Sequence, residues 1–403
     1  MFVFKYGDFA IEMLQKMLHF LNISISIRKW NLIEPLGISF YTFKAISYLI
    51  DVYKNKILPE KNIAKLALYI SFFPELLAGP IDRATNLLSQ INNKSIKFQY
   101  AQVIRGMIMM LVGLAIKMII ADRIAILVDT VYSKPDTYAG ILLIVATIFF
   151  AFQIYADFMA CSMIAIGTAK TLGYDIIHNF EQPYLSHSIK EFWRRWHISL
   201  STWFRDYLYI PLGGSHCSKI KKYRNILIVF VVSGLWHGAN ITYVIWGAVH
   251  GIYQIVGDLT LKLREKIKHK LKVNEKTFSY KLWQIVITFM LVTISWIPFR
   301  ASSFTNLKDI IKYIFIFNPW ELTNGTLFEL GLDNINFIIA VIGILVLISY
   351  DILKRKRQDL VESVMRQPIM FRWIFYLGIT IAIIVIGIYG SNYNTSDFIY
   401  AQF

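Results

Sequence analysis

NILIVFVVSGLWHGANITYVIWGAVHGIYQIVG, residues 225–257, decides how this chain folds. As one α-helix it would run about 50 Å at 1.5 Å per residue. The hydrocarbon of a bilayer is only about 30 Å thick. Both flanks are basic: Lys219, Lys221, Lys222 and Arg224 precede the segment, and Lys262, Arg264, Lys266, Lys268, Lys270 and Lys272 follow it. Basic loops collect on the cytoplasmic side, so the segment is expected to enter the membrane and return. The natural turn is SGLWHGAN (233–240), with Gly234 and Gly238. That puts His237 at membrane depth on a broken or re-entrant piece. A single tilted helix with an extramembrane extension is the other reading of the same length.

Composition agrees with a membrane chain. Of 403 residues, 56% are hydrophobic and 17% charged, with mean hydropathy +0.49. Soluble domains carry about 25% charge. The fold class is therefore all-α, a polytopic transmembrane helical bundle, in one domain covering 1–403. The net charge of +16 suits cytoplasmic loops against an anionic leaflet. It implies membrane lipids as neighbours and no nucleic acid. Cys161 and Cys217 have no CxxC spacing, so neither a disulfide framework nor a zinc site follows. No cleavable signal peptide is expected, because Lys5, Asp8 and Glu12 interrupt the first apolar run.

Spans are expected at 103–121, 138–158, 283–299, 334–350 and 373–390, with a milder apolar segment at 159–173. Residues 1–30 suit a tilted or interfacial helix, and 37–53 a span weakened by Lys44 and Asp51. FFPELLAGP (72–80) cannot be a plain lipid-facing helix and must be buried in protein or line a cavity. Lys354, Arg355, Lys356 and Arg357 place 351–372 in the cytoplasm and the tail SNYNTSDFIYAQF outside.

The second informative stretch is SIKEFWRRWHISLSTWFRDYLYIPLGG (188–214). Read as one helix, it starts at Ser188 with Glu191 completing a capping box and stops at Pro211, Gly213 and Gly214. Phe192, Trp193, Trp196, Leu200, Trp203, Phe204 and Tyr207 then share one arc, Lys190, Arg194 and Arg205 another, and His197 lies on the seam. Such a helix either lies in the interface, with rings in the acyl boundary, or lines a polar cavity that His197 faces.

Of eight histidines, His237 stands out, since an ionisable residue in a glycine-broken membrane segment points to function. His197 follows, because its arginine neighbours favour the neutral imidazole that a general base must be. His250 reads as a packing histidine. Two imidazoles brought together can deprotonate a hydroxyl and orient the acyl group it attacks. The arginines, with N–H groups near Gly213 and Gly214, can bind an anionic donor or a developing oxyanion; headgroup contacts and a tight turn are the bland readings. No G-x-S-x-G, P-loop, GxGxxG or HExxH is present, so no metal and no tightly bound cofactor is expected.

EFWRRWHISLSTWFRDYLYIPLGG (191–214) and GLWHGANITYVIWGAVHG (234–251) resemble the membrane-bound O-acyltransferases, and most closely the bacterial branch that O-acetylates alginate and other extracellular polysaccharides. GISFYTFKAISYLIDVY (37–53), FFPELLAGPI (72–81), NFEQPYLSHSI (179–189), FRA (299–301) and FIYAQF (398–403) fit the same pattern. The resemblance implies helices around a polar funnel, with His237 and His197 as catalytic residues. It also implies an acyl donor, acetyl-CoA or another, entering from the cytoplasm and held by Lys190, Arg194, Arg205, Trp196, Trp236 and Asn240. The acceptor is expected to be a polysaccharide hydroxyl, reached directly or through a partner acetyltransferase, and the location a bacterial plasma membrane. Two departures stand: DFMACSMIAIG (157–167) has Met163 where the family has an aspartate, and the family's further spans before the stretch that here is Phe4 to Tyr6 are not in this sequence, as expected of a shortened member or of a start at an internal methionine. D-alanyl transfer to teichoic acid from a carrier protein, and a non-enzymatic conduit for an acyl donor or lipid, remain as alternatives.

Overall fold

The computed structural model describes residues 2–389 apart from 24, 33, 34, 36, 94–97, 357 and 358. The terminal FIYAQF, the tail orientation and Arg357 lie outside the described residues. Among those residues every regular element is a helix. Five helices are long and apolar enough to cross a membrane. They are α3 (Tyr100–Ser133), α4 (Ile141–Thr171), α9 (Phe278–Arg300), α10 (Asn334–Lys356) and α11 (Ile369–Ile386). The chain is a multi-pass membrane protein. Before the first of these lie α1 (Phe2–Phe20) and α2 (Ile38–Tyr53).

α4 is the spine. In its most apolar 18-residue window 78% of residues are buried, against none in that of α11. The expected span 138–158 and the milder segment 159–173 are one helix of 31 residues. Asp157 does not close a span; it sits mid-helix, where Lys117 of α3 pairs with both Asp157 (2.6 Å) and Asp122 (2.7 Å). Paired in this way, charges are tolerated inside a bundle. Gly106 and Gly167 face one another so closely that a Cβ on either would meet the other's carbonyl oxygen at 2.5–2.6 Å. Small residues allow α3 and α4 this backbone approach.

FFPELLAGP behaves as its prolines require. Only Phe73–Leu76 make a turn of helix, and Phe72, Pro74, Glu75, Gly79 and Pro80 are buried in protein. The buried Glu75 is paired with the equally buried Lys44 of α2, which explains how α2 carries a lysine.

The deciding segment is a helical hairpin. α7 (Lys219–His237) and α8 (Ile241–Leu259) are joined by Gly238, Ala239 and Asn240. The single-helix reading is set aside. A Cβ on Gly234 would meet Tyr243 O at 2.2 Å, one on Gly247 Phe230 O at 2.2 Å, and one on Gly251 Leu227 Cδ1 at 3.1 Å. Partner numbers that fall as the others rise mark antiparallel helices in tight contact. Asn240 caps α8 by accepting from Thr242 N (3.1 Å).

The bundle's two ends differ in charge. At the hairpin base Lys222 and Tyr223 both reach Asp258 (2.8 and 2.9 Å), and the basic last turn of α10 holds the segment before Ile189 through Arg355 donating to Leu185 O (3.0 Å). The opposite end gathers the hairpin turn, where Asn240 donates to Ser302 O (3.1 Å), and Asn306, which donates to Tyr132 O (3.1 Å). The positive-inside tendency assigns the base to the cytoplasm and the turn to the outer side.

Candidate active site

The stretch 188–214 is not one helix. α5 (Ile189–Arg195) stops, Trp196 is extended, His197 is left-handed (φ 43°, ψ 55°), and α6 (Ile198–Phe204) restarts. A π-helical turn, Arg205–Tyr209, follows. Phe192 to Tyr207 therefore do not share one continuous face, because the helix axis changes at 196–197. A break exposes backbone groups that need partners. Segment 179–181 supplies them: Glu181 N donates to Arg195 O (3.0 Å), Ile198 N to Asn179 O (3.0 Å), and Ser199 Oγ to Asn179 Oδ1 (2.6 Å). Ser188 does cap α5, accepting from Glu191 N (3.1 Å). Glu191 reaches back one residue further than a capping box requires, to His187 N (2.8 Å).

The rings face inward. Phe192, Trp196, Leu200, Trp203 and Phe204 are buried in protein, so the interfacial reading fails; the cavity-lining reading holds only in part, because the stretch borders a mostly apolar cavity that His197 does not line. Lys190, Arg194 and Arg205 converge on a cavity of about 220 Å³ between α5, α6, the π turn and the hairpin. Trp193, Ser201, Phe230, Ser233 and Gln254 also line it. Its cations lie toward the basic end of the molecule. Ser233 is one helical turn before His237, so α7 leads from the cavity to the imidazole.

His197 and His237 are both buried, 1% and 2% exposed. One indole stands beside both: the Trp236 ring is 4.8 Å from that of His237 and 6.1 Å from that of His197. Phe158 meets His197 edge-on at 4.6 Å, and Trp246 and Phe299 each meet His237 at 5.1 Å. The arginines flanking His197 in sequence do not form its surroundings. Arg195 pairs with Glu191 (2.9 Å) and Arg194 lines the cavity.

The remaining expected residues are placed differently. Trp196 is packed among Phe180, Phe192 and Trp296, and Asn240 is committed to capping α8 and holding Ser302; neither lines the cavity. Gly213 and Gly214 make a tight turn, and their N–H groups bond Ile210 O and Tyr209 O (both 2.9 Å). They offer no oxyanion donors. Ser199 is bound to Asn179. Met163 is buried in the apolar core. Among the described residues no cluster of His, Cys, Asp and Glu could hold a metal ion.

Three residues near the histidines escaped the sequence reading. Lys5 of α1 donates to Trp236 O (2.9 Å), and Tyr6 to Leu235 O (2.6 Å), so the first helix caps the carbonyl end of α7 beside His237. Phe43 of α2 stacks on Trp236 at 5.4 Å. The only local signal was a lysine in an apolar stretch, which says nothing of its distant partner.

Residues 58–304 match the model of the membrane-bound O-acyltransferase family. A probable alginate O-acetylase of Pseudomonas syringae pv. tomato is 37% identical over 320 residues, 79% of this chain and 59% of that protein. A peptidoglycan O-acetyltransferase of Helicobacter pylori is 32% identical, covering 77% of this chain and 61% of its own length. A teichoic acid D-alanyltransferase of Bacillus subtilis is 30% identical, covering 68% and 70%. The chain thus spans about three fifths of the alginate and peptidoglycan relatives.

Proposed function

We propose, because the chain belongs to the membrane-bound O-acyltransferase family, that it transfers an acetyl group from a cytoplasmic anionic donor to hydroxyls of an extracellular or cell-wall polysaccharide. The observation that carries this reading is the cavity: Lys190, Arg194 and Arg205 all line it, and α7 leads from Ser233 in its wall to His237 one turn further on. An acyl thioester such as acetyl-CoA suits it, with phosphates on the cations and the acyl arm along Trp193, Phe230 and Ser233. His237 takes the proton of the acceptor hydroxyl as the oxygen attacks the acetyl carbonyl. The ester C–O bond forms, the C–S bond breaks, and the proton passes through the imidazole to the departing thiolate. His197, across Trp236, assists. The acceptor is reached directly or through a partner acetyltransferase. D-alanyl transfer is the weaker reading, since the D-alanyltransferases are more distant than the acetylases. Replacing His237 with Ala at matched protein level should abolish acetyl esters on envelope polymers; unchanged acetylation would sink the assignment. Acetyl transfer by the purified protein would separate an enzyme from a conduit.

A further inference from the structure

His250 was read from sequence as a packing residue. It is wholly buried, yet both ring nitrogens are engaged. The Trp193 indole N–H donates to Nδ1 (3.2 Å), and Nε2 faces Ser295 Oγ (2.9 Å). The Ser295 hydroxyl donates to Val292 O (2.6 Å). An indole can only donate, so Nδ1 is an acceptor. The serine proton is directed to Val292, so Nε2 carries the hydrogen. One tautomer satisfies the whole chain, and it belongs to a neutral ring. The first member of that chain, Trp193, lines the cavity that holds Lys190 and Arg194.

The rings around it fix the same wall. Trp193 meets His250 edge-on at 4.9 Å and Phe230, another lining residue, at 5.2 Å. One turn further along α8, Gln254 Nε2 reaches Ile189 O at 3.5 Å and also lines the cavity. α5 is short, seven residues, and ends at the break before His197. Its register against the hairpin therefore depends on contacts made by its own side chains, and Trp193–His250 is a side-chain hydrogen bond of that kind, made to a wholly buried imidazole.

We infer that His250 is a positioning residue for the donor cavity: by accepting the Trp193 N–H it fixes the indole as a cavity wall and holds the cations of α5 over the mouth. This rests on the reading of the cavity as the donor site. It assigns His250 no contact with the reacting atoms.

The test is coenzyme A titrated into the full-length protein in detergent, with the thermal midpoint of each ligand-free variant measured in parallel. His250→Phe and Trp193→Phe should each weaken CoA binding about fivefold to tenfold, the size expected for losing one buried hydrogen bond. The double variant should be no weaker than either single one, because both partners are then apolar and nothing is left unsatisfied. His250→Asn, which keeps an acceptor near the Nδ1 position, should restore binding. A lowered midpoint with unchanged CoA affinity, or penalties that simply add, would overturn the inference, and Trp193→Phe alone decides it if His250→Phe does not fold. A wild-type protein that fails to bind CoA would overturn the donor-cavity reading itself, with this inference, and is distinct from wild-type binding that the variants leave unaltered.

Discussion

Two helical stretches of this chain break beside a histidine, and they break for different reasons. In the hairpin, α7 ends at His237 and α8 starts at Ile241, with Gly238 between them. At 196–197 the break has no glycine, and His197 itself takes a left-handed conformation at φ 43°. For a residue with a Cβ that conformation costs about 1 kcal/mol. The hairpin break is encoded locally: glycines let the two helices close on each other, and a three-residue turn with an asparagine cap follows. The other break is imposed from a distance by Asn179 and Glu181, which bond the backbone that the break exposes. A histidine beside a glycine turn can be found by reading along the chain. One forced into a left-handed bend can only be found by knowing what packs against it.

The comparison is broken most severely at the hairpin's contact face. Gly247→Ala drives a methyl into Phe230 O, a backbone atom that no rotamer change can move. It should destabilise the protein by about 3 kcal/mol, the upper end of overpacking costs, seen as loss of the folded detergent-soluble fraction. Asn179→Ala should cost about 2 kcal/mol, because the buried Ser199 hydroxyl loses its acceptor, and a fall in thermal midpoint would show it. Asn240→Ala removes the cap of α8 and the exposed hydrogen bond to Ser302 O and should cost about 1.5 kcal/mol. His197→Asn sharpens the contrast with the least structural effect. Asparagine tolerates the left-handed conformation, so the bend should survive at a cost of about 1 kcal/mol for the lost ring contacts while acetyl transfer falls. A folded, fully active His197→Asn protein would confine His197 to a backbone role.

Much of the bundle was legible. Long apolar runs gave the five spans, because a helix in lipid must be apolar over its length. What misled was continuity. Asp157 read as the end of a span because a lone carboxylate does not belong in hydrocarbon; Lys117, forty residues earlier, makes it acceptable. Of the site, the cationic trio and both histidines were visible as residue types. Lys5, Tyr6 and Phe43 were not, since each acts on Trp236 or Leu235 from almost two hundred residues or more away.

By itself the sequence determined that this is a multi-pass helical membrane protein, and it favoured a fold-back of 225–257 at SGLWHGAN with His237 at the turn. These follow from length, hydropathy and flanking charge, which are local properties. The tertiary structure alone decided that 188–214 bends at His197, that its rings face protein rather than lipid, and that Lys190, Arg194 and Arg205 share a cavity leading toward His237. Those outcomes depend on buried backbone groups finding partners far along the chain, and no local pattern specifies which partner arrives.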